Sequence, residues 1–312
     1  MGLLQVQGTL DITQFWPKGT SDADTVNIQL DLAKSPFQYQ AAPGAPFQVT
    51  HALDDAKVED IKVVEKNMLT IRLQGIDAPE LHYQPQKYRQ RYAATAVTAL
   101  LDRLTRKSAT VLPCTVVTDN VATPNDVFDK YGRFIGDVIV KVNKTAVNIN
   151  QWLVAQGHVL PSFYVSMSAA EIKTYLAAAK KGRAKGRAWK LLSQTMLPFD
   201  PTVLLRKNVP VDLATDKAPF ILPKLFRRQC VWWNDRQAGK TSADFVPHLT
   251  KSKTKIAVLT DDFLATGKKA KKYTLGDFFD ANGVFQRVAD EIVFLEDPSK
   301  LLGSDNKPVT GW

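Results

Sequence analysis

The sequence predicts an α+β protein. A small closed barrel of five strands with three packed helices occupies roughly the first 190 residues, and a smaller α+β unit follows. Three observations predict this. Short segments before residue 145 alternate apolar and polar residues with the period of two that half-buried strands require. Between and after them, apolar residues recur at three- and four-residue steps, the period of a helix with one buried face. From Leu197 the texture changes, and Pro198, Pro201, Pro210, Pro219 and Pro223 punctuate a segment that wraps rather than repeats.

Residues 4–15 alternate (Leu4, Val6, Leu10, Ile12, Phe15) and break at Pro17-Lys18-Gly19. Thr25 to Leu30 is a period-two strand. Residues 31–58 carry Pro36, Pro43, Gly44 and Pro46 and read as an insertion leaving the sheet, with a strand near 46–52. Residues 60–75 read as a hairpin turned at Lys66-Asn67, and Pro79, which has no N–H to donate, stops the ladder. A helix is expected over 86–106, where Tyr88, Tyr92, Ala96, Ala99, Leu100 and Leu104 share a face. Strands are expected at 109–117 and 134–142, with a polar loop at 120–126 between them. A short helix at 148–156 is stopped by Gly157. A basic helix at 168–190 has weak points at Gly182 and Gly186. Strand-then-helix order in so short a chain fits an oligonucleotide-binding barrel. In the second unit, strands are expected at 225–233, 254–259 and 291–295 and a short helix at 275–282.

A length of 312 residues suggests about two domains, expected at 1–195 and 196–312. The net charge of +10 points to a polyanionic partner. The excess is spread over both parts, with 23 Lys and Arg against 17 Asp and Glu before residue 196 and 18 against 14 after it. Cys114 and Cys230 make neither a disulfide framework nor a zinc spacing, so buried free thiols are expected. The N-terminal residues lack a basic, then apolar, leader pattern, and no stretch approaches the ~20 apolar residues of a membrane span. A cytoplasmic protein without membrane contact is the expectation.

The chemistry concentrates in Arg72-Leu73-Gln74-Gly75-Ile76-Asp77-Ala78-Pro79-Glu80, which delivers a cation and two carboxylates at a strand end. Asp24, at the start of a strand, and Arg133, on a turn before one, complete four charged stations. Together they suit phosphodiester hydrolysis. Arg72 and Arg133 can clamp phosphate oxygens with planar forks and stabilise the charge of a pentacoordinate transition state. Asp24 and Asp77 offer hard oxygens to Ca²⁺ or Mg²⁺ rather than zinc. Glu80 can take a proton from water.

The order of five motifs resembles the staphylococcal nuclease (thermonuclease) family over residues 8–190: Asp22-Ala23-Asp24-Thr25-Val26; Arg72 to Glu80; Asp129-Lys130-Tyr131-Gly132-Arg133; Val147-Asn148 with Leu153-Val154 and Gly157; and Trp189 closing a basic helix. The resemblance implies an oligonucleotide-binding barrel with helices that cuts DNA and RNA to 3′-phosphate and 5′-hydroxyl ends. It implies a metal, normally Ca²⁺, held by Asp24, Asp77 and the carbonyl of Ala78. Glu80 is implied as general base, and Arg72 and Arg133 as the groups on the scissile phosphate. Lys130 and Tyr131 would approach a neighbouring phosphate, and Phe163 or Tyr164, with Ile135, would line a base pocket. Two departures stand out: Ala23 takes the place of a usual Gly, and 48 residues separate Asp24 from Arg72.

Other features have blander readings. His82 is expected on an exposed turn and His158 at a helix end. Tyr88 and Tyr92 are expected in the core. The basic runs at 180–187 and 268–272 are expected to be solvated, and Arg227-Arg228 with Trp232-Trp233 structural. Two competing functional readings remain. One is a non-catalytic nucleic-acid-binding or scaffold module on the same fold. In the other, residues 196–312 meet a protein partner or restrain the nuclease.

Overall fold

The computed structural model describes residues 2–31, 36–58, 61–64, 67–105, 109–142, 144–206, 208–251, 253–296 and 299–312, with Asn120 described by its backbone alone. Five strands close on themselves: β1 (Gly2–Asp11), β2 (Thr25–Leu30), β3 (Met68–Leu73), β4 (Val111–Val121) and β5 (Phe134–Val142). β2 lies antiparallel between β1 and β3, β3 runs parallel to β5, and β4 returns antiparallel between β5 and β1. Closure leaves no open edge within the five. Alternate residues point inward and are buried, among them Leu4, Val6, Leu10, Val26, Ile28, Leu69, Ile71, Leu73, Val116, Phe134, Val138 and Val140. This is the oligonucleotide-binding barrel that the sequence predicts.

Three helices pack around it: α1 (Ala93–Leu104), α2 (Ile149–Gln156) and α3 (Ala169–Ala184). Asn148 caps α2 by accepting from the Gln151 N–H, and Gly157 ends it with φ +73°. α3 opens with a capping box between Ser168 and Glu171. The helix expected over 168–190 breaks at Gly186, and only Arg187–Leu191 resumes it. α2 and α3 cross where Gly182 meets the chain at Val154 and Gly157. A Cβ at Gly182 would sit 2.0 Å from the Val154 carbonyl oxygen and 3.0 Å from the Gly157 nitrogen. Gly182→Ala should therefore destabilise the protein by about 2 kcal/mol, although Ala is the better helix former, because both obstacles are backbone. Urea denaturation would show it as a lower midpoint, and an unchanged midpoint would mean the helices can separate without cost.

Several expectations are corrected. Among the described residues of 60–75, no hairpin pairs 61–64 with 67–75. Ile61–Lys62 pairs with Lys57–Val58, whereas β3 pairs with β2 and β5; Lys66 lies outside the described residues. The period of two is right, but pairing partners are set by the closed barrel rather than by adjacency. The helix expected from residue 86 begins only at Ala93. Tyr88 instead bridges Tyr83 and Leu204, and Tyr92 has φ +71°. Both are buried, as expected. The insertion partly rejoins the sheet, since Phe37–Gln40 pairs with β1 and Gln48–Val49 pairs with Phe37–Gln40.

The run 225–233, expected as a strand, is the middle of a helix, α4 (Pro223–Gln237), with Pro223 in its first turn. Its buried residues Leu225, Phe226, Gln229, Cys230 and Trp232 follow helical spacing. Trp232 and Trp233 are therefore neighbours on a helix, 6.2 Å apart, and not on opposite faces of a sheet. At 275–282 there is only a 3-10 turn, Gly276–Phe278. The expected strands at 254–259 and 291–295 are present as Ala257–Leu259 and Ile292–Phe294.

The C-terminal residues share sheets with earlier ones. Phe163–Tyr164 runs parallel to Ile292–Phe294, and Leu301–Leu302 pairs with Lys57–Val58 in the insertion. Both cysteines are free and buried, and burial pushes both thiols up. Among the described residues no helix is long and apolar enough to cross a membrane.

His158, beside Gly157, stacks on Trp152 and accepts from the Arg187 guanidinium at 2.6 Å. Burial, with Arg187 and Lys185 close by, pushes its pKa down from 6.5 to about 4. A depressed base is neutral in the fold and charges more readily when unfolded, so the unfolded state takes up protons first. Stability from His158 is full above pH 6.5 and is lost as pH falls towards 4, by about 2 kcal/mol between pH 7 and pH 5. His158→Gln should flatten that part of the stability–pH curve. If both proteins keep the same slope, the loss has another source.

Candidate active site

Barrel register brings the charged stations together. β2 and β5 flank β3 so that Thr25, Arg72 and Ile135 lie side by side, on the face opposite the buried Ile71 and Leu73. Asp24 precedes β2. Beyond β3, Gly75 turns the chain with φ +74°, its bare Cα against the Tyr175 ring. Ile76–Asp77 then pairs with Leu160–Pro161. The buried Asn150 on α2 fixes this turn, donating to the Gln74 and Gly136 carbonyls and accepting from the Val138 N–H. Removing that one side chain would take the partner from the Gln74 carbonyl and the Val138 N–H, while the Gly136 carbonyl would keep the Gln74 N–H at 3.0 Å.

Asp24 and Asp77 are almost fully buried, at 7% and 4% exposure. The Arg72 guanidinium bridges them, 2.9 Å from Asp24 Oδ2 and 3.4 Å from Asp77 Oδ1. The Ala78 N–H donates to Asp24 Oδ2 at 3.1 Å, and the Thr25 hydroxyl donates to Asp24 at 3.1 Å. Burial alone would raise the Asp24 carboxyl, but Arg72 and the Ala78 N–H hold it below the usual carboxylate range. Asp22 accepts the backbone N–H groups of Asp24 and Thr25 and so shapes the turn that presents Asp24. Burial, with Asp24 and Glu80 close by, pushes the Asp22 carboxyl well above the usual range. The Glu80 N–H donates to Gln90 Oε1. Burial raises the Glu80 carboxyl and outweighs the guanidinium beside it.

Arg133 is held by Asp129, which accepts from its Nε at 2.7 Å and from its backbone N–H at 3.0 Å. Its Nη1 reaches Thr25 at 3.5 Å. The Tyr131 ring is exposed and lies near the Lys130 ammonium and the Arg133 guanidinium, 5.3 and 5.6 Å from its centroid. Ile135 is half-buried beside Arg72. Phe163 is fully buried and paired with Val293, so it does not face an open pocket. Tyr164 is half-buried and stays beside the cluster. Burial alone would raise its phenol, but Lys224 and Arg72 bring it below its usual value. His82, expected on an exposed turn, is half-buried, with Nδ1 lacking a partner among the described residues.

Arg227, expected to be structural, and Lys224, not singled out from sequence, both reach the site from α4. The Arg227 fork lies on Asp77, with Nη1 3.1 Å from Oδ1 and Nη2 3.0 Å from Oδ2, and Nη1 also pairs with Glu80. Lys224 Nζ donates to the Tyr164 hydroxyl at 3.2 Å and lies 4.2 Å from the Phe294 ring centroid. The signal was in the sequence: Pro223 opens a helical period that puts Lys224, Arg227 and Arg228 along one side.

A divalent ion, as the resemblance implies, needs several free carboxylate or carbonyl oxygens. Both Asp77 oxygens accept from guanidinium groups, Asp24 accepts from Arg72, Thr25 and Ala78, and Glu80 accepts from Arg227. Among the described residues no group of three or more His, Cys, Asp or Glu is arranged to hold a metal. With Arg227 in place, these residues do not fit the ion.

No curated protein matches the chain. The model of the staphylococcal nuclease homologue family matches residues 70–190, a span holding most of β3, all of β4 and β5, the three packed helices, and Arg72, Asp77, Glu80 and Arg133, but not Asp24 or the two cations of α4. Residues 70–190 thus match the staphylococcal nuclease homologue model, and β1 and β2, which precede the matched span, close the barrel.

Proposed function

We infer that the protein is a nuclease that hydrolyses phosphodiester bonds of DNA or RNA to 3′-phosphate and 5′-hydroxyl ends. Residues 1–195 would be the hydrolytic unit and residues 196–312 its restraint, or a surface for a protein partner. The observation that carries this reading is one cluster drawn from three parts of the chain: Asp24 with Thr25, the stretch from Arg72 to Glu80, and Arg133. In it Arg72 bridges the buried Asp24 and Asp77, Arg133 reaches the Thr25 hydroxyl beside Asp24, and Glu80 is tied to Asp77 through Arg227. Arg72 and Arg133 would bind the scissile phosphate and stabilise its added charge, and Glu80 would take the proton of the attacking water. Lys130 and Tyr131, beside Arg133, would meet the next phosphate, and Ile135 with Tyr164 would border the base. Ca²⁺ or Mg²⁺ is the cofactor the resemblance implies; because the residues as arranged do not fit it, no step here runs through an ion.

A second reading, a nucleic-acid-binding module that does not cut, is favoured by the saturation of Asp77 and Glu80 by Arg227. Cleavage of end-labelled single- and double-stranded DNA and RNA, with Ca²⁺, Mg²⁺ or chelator, separates the two. Cuts with 3′-phosphate ends support the nuclease. Salt-sensitive binding without cuts under every condition, including with Arg227 replaced, supports the module.

A further inference from the structure

We propose that Arg227 is a latch: a cation supplied by the chain that competes with a divalent cation for Asp77 and Glu80. What the latch controls rests on the hydrolytic reading; the competition itself does not. Three carboxylates, Asp24, Asp77 and Glu80, face two guanidiniums, Arg72 and Arg227. A fork laid on both Asp77 oxygens is the strongest pairing a carboxylate makes with a side chain, and it uses the lone pairs a metal would need. Withdrawing Arg227 leaves Arg72 between the buried Asp24 and Asp77 and takes the ion pair from the half-buried Glu80, an excess of negative charge that attracts a hard cation. Arg227 and an ion in the same seat repel each other. Docking of one and binding of the other are therefore negatively linked, and by equal factors in both directions.

Nothing else about α4 needs this side chain. The helix is anchored by its apolar face, Leu225, Phe226, Cys230 and Trp232, and by Asn234, which accepts from the Tyr88 hydroxyl at 3.1 Å. Among the described residues, Arg228, the next residue, donates only to the Lys224 carbonyl of its own helix. Arg227 alone crosses to the carboxylates, and while it bridges Asp77 and Glu80, the Glu80 oxygen it holds cannot accept a proton from water.

The test is cation binding by the full chain, with Mn²⁺ followed by electron paramagnetic resonance and Ca²⁺ by calorimetry. Arg227→Gln is expected to bind either ion at least about tenfold more tightly than wild type. The double variant Arg227→Gln/Asp77→Asn should lose that gain, which locates it. Arg236→Gln, on the same helix but paired with Asp244, should bind as wild type does. Arg227→Lys keeps the charge but cannot hold Asp77 and Glu80 together. It should shift affinity in the same direction and covers the case in which the Gln variant fails to fold, as judged by its melting curve. Equal affinity for wild type and the Arg227 variants overturns the latch, as does a gain that survives Asp77→Asn. Cleavage is scored separately. A gain in cation affinity with no cleavage by any variant would keep the latch and defeat the nuclease reading. Cleavage by wild type and Arg227→Gln at one rate, with equal affinity, would keep the nuclease and defeat the latch.

Discussion

Glu80→Gln is expected to lower the rate constant of phosphodiester cleavage by about 10²–10⁴-fold, the range a positioned general base contributes. The substitution keeps the size of the side chain and one oxygen to accept from Arg227, so the fold of the 77–90 loop is preserved. What it removes is the capacity to take a proton. Burial holds the Glu80 carboxyl above the usual carboxylate range against the pull of Arg227, which makes it a better base near neutral pH than an exposed glutamate. A base works when deprotonated, so the wild-type rate should rise with pH through the raised pKa of Glu80, and this limb should vanish in the variant. Oligonucleotide binding should change little, because in the proposed mechanism Arg72 and Arg133, not Glu80, meet the phosphate. The same ratio should appear in the Arg227→Gln background, since Glu80 acts after the latch has opened. A variant that cuts at the wild-type rate with the same pH profile would remove Glu80 from the mechanism.

How much of this was legible in the sequence depends on how local each feature is. β5 was read at its observed limits, and α2, with its Asn148 cap and Gly157 stop, was read to within one residue, because alternation and capping are written in adjacent residues. The meeting of Asp24, Arg72, Asp77, Glu80 and Arg133 was legible only because five motifs occurred in order; no single one carries a distance. What was not legible is what other parts of the chain impose. β3 has the composition of a hairpin arm, yet its partners are 47 residues before it and more than 60 after it in sequence, Thr25 and Ile135 against Arg72. Tyr88 and Tyr92 have helical spacing with Leu100 and Leu104, but the Tyr88 N–H and carbonyl pair with Tyr83 and the Tyr92 N–H donates to the Asp216 carbonyl. The run from Leu225 to Trp233, with Val231, Trp232 and Trp233 at its end, suggests a strand, and tertiary packing of a helical face overrides it.

Asp216→Ala should destabilise the protein by about 3–5 kcal/mol, the cost of leaving one buried ionic partner without the other. Asp216 is fully buried, and its carboxylate receives the Arg89 guanidinium, the Thr95 N–H at 2.8 Å and the Thr95 hydroxyl at 2.9 Å. Thr95 lies in the first turn of α1, a helix whose own N-cap, Tyr92, supplies no side-chain acceptor. Asp216 thus caps α1 from more than 120 residues away and puts a negative charge at the positive end of its dipole. Arg89 already has an Nε without a partner among the described residues, so it has no ready replacement. Replacing Arg89 with Met should cost less than Asp216→Ala, because Asp216 would keep both Thr95 donors. The double variant should cost less than the two single losses together, since neither charge is then left alone. Urea denaturation of the four proteins measures this, and a single-variant loss below about 1 kcal/mol would show the pair to be dispensable. The consequence reaches the site. Gln90, next to Arg89, holds the Glu80 N–H and donates to the Ile221 carbonyl at 2.5 Å. Freeing residues 216–221 therefore loosens Glu80 from one side and, through Leu222 at the head of α4, Arg227 from the other. The linkage that stabilises α1 is the one that holds Glu80 and Arg227 in register.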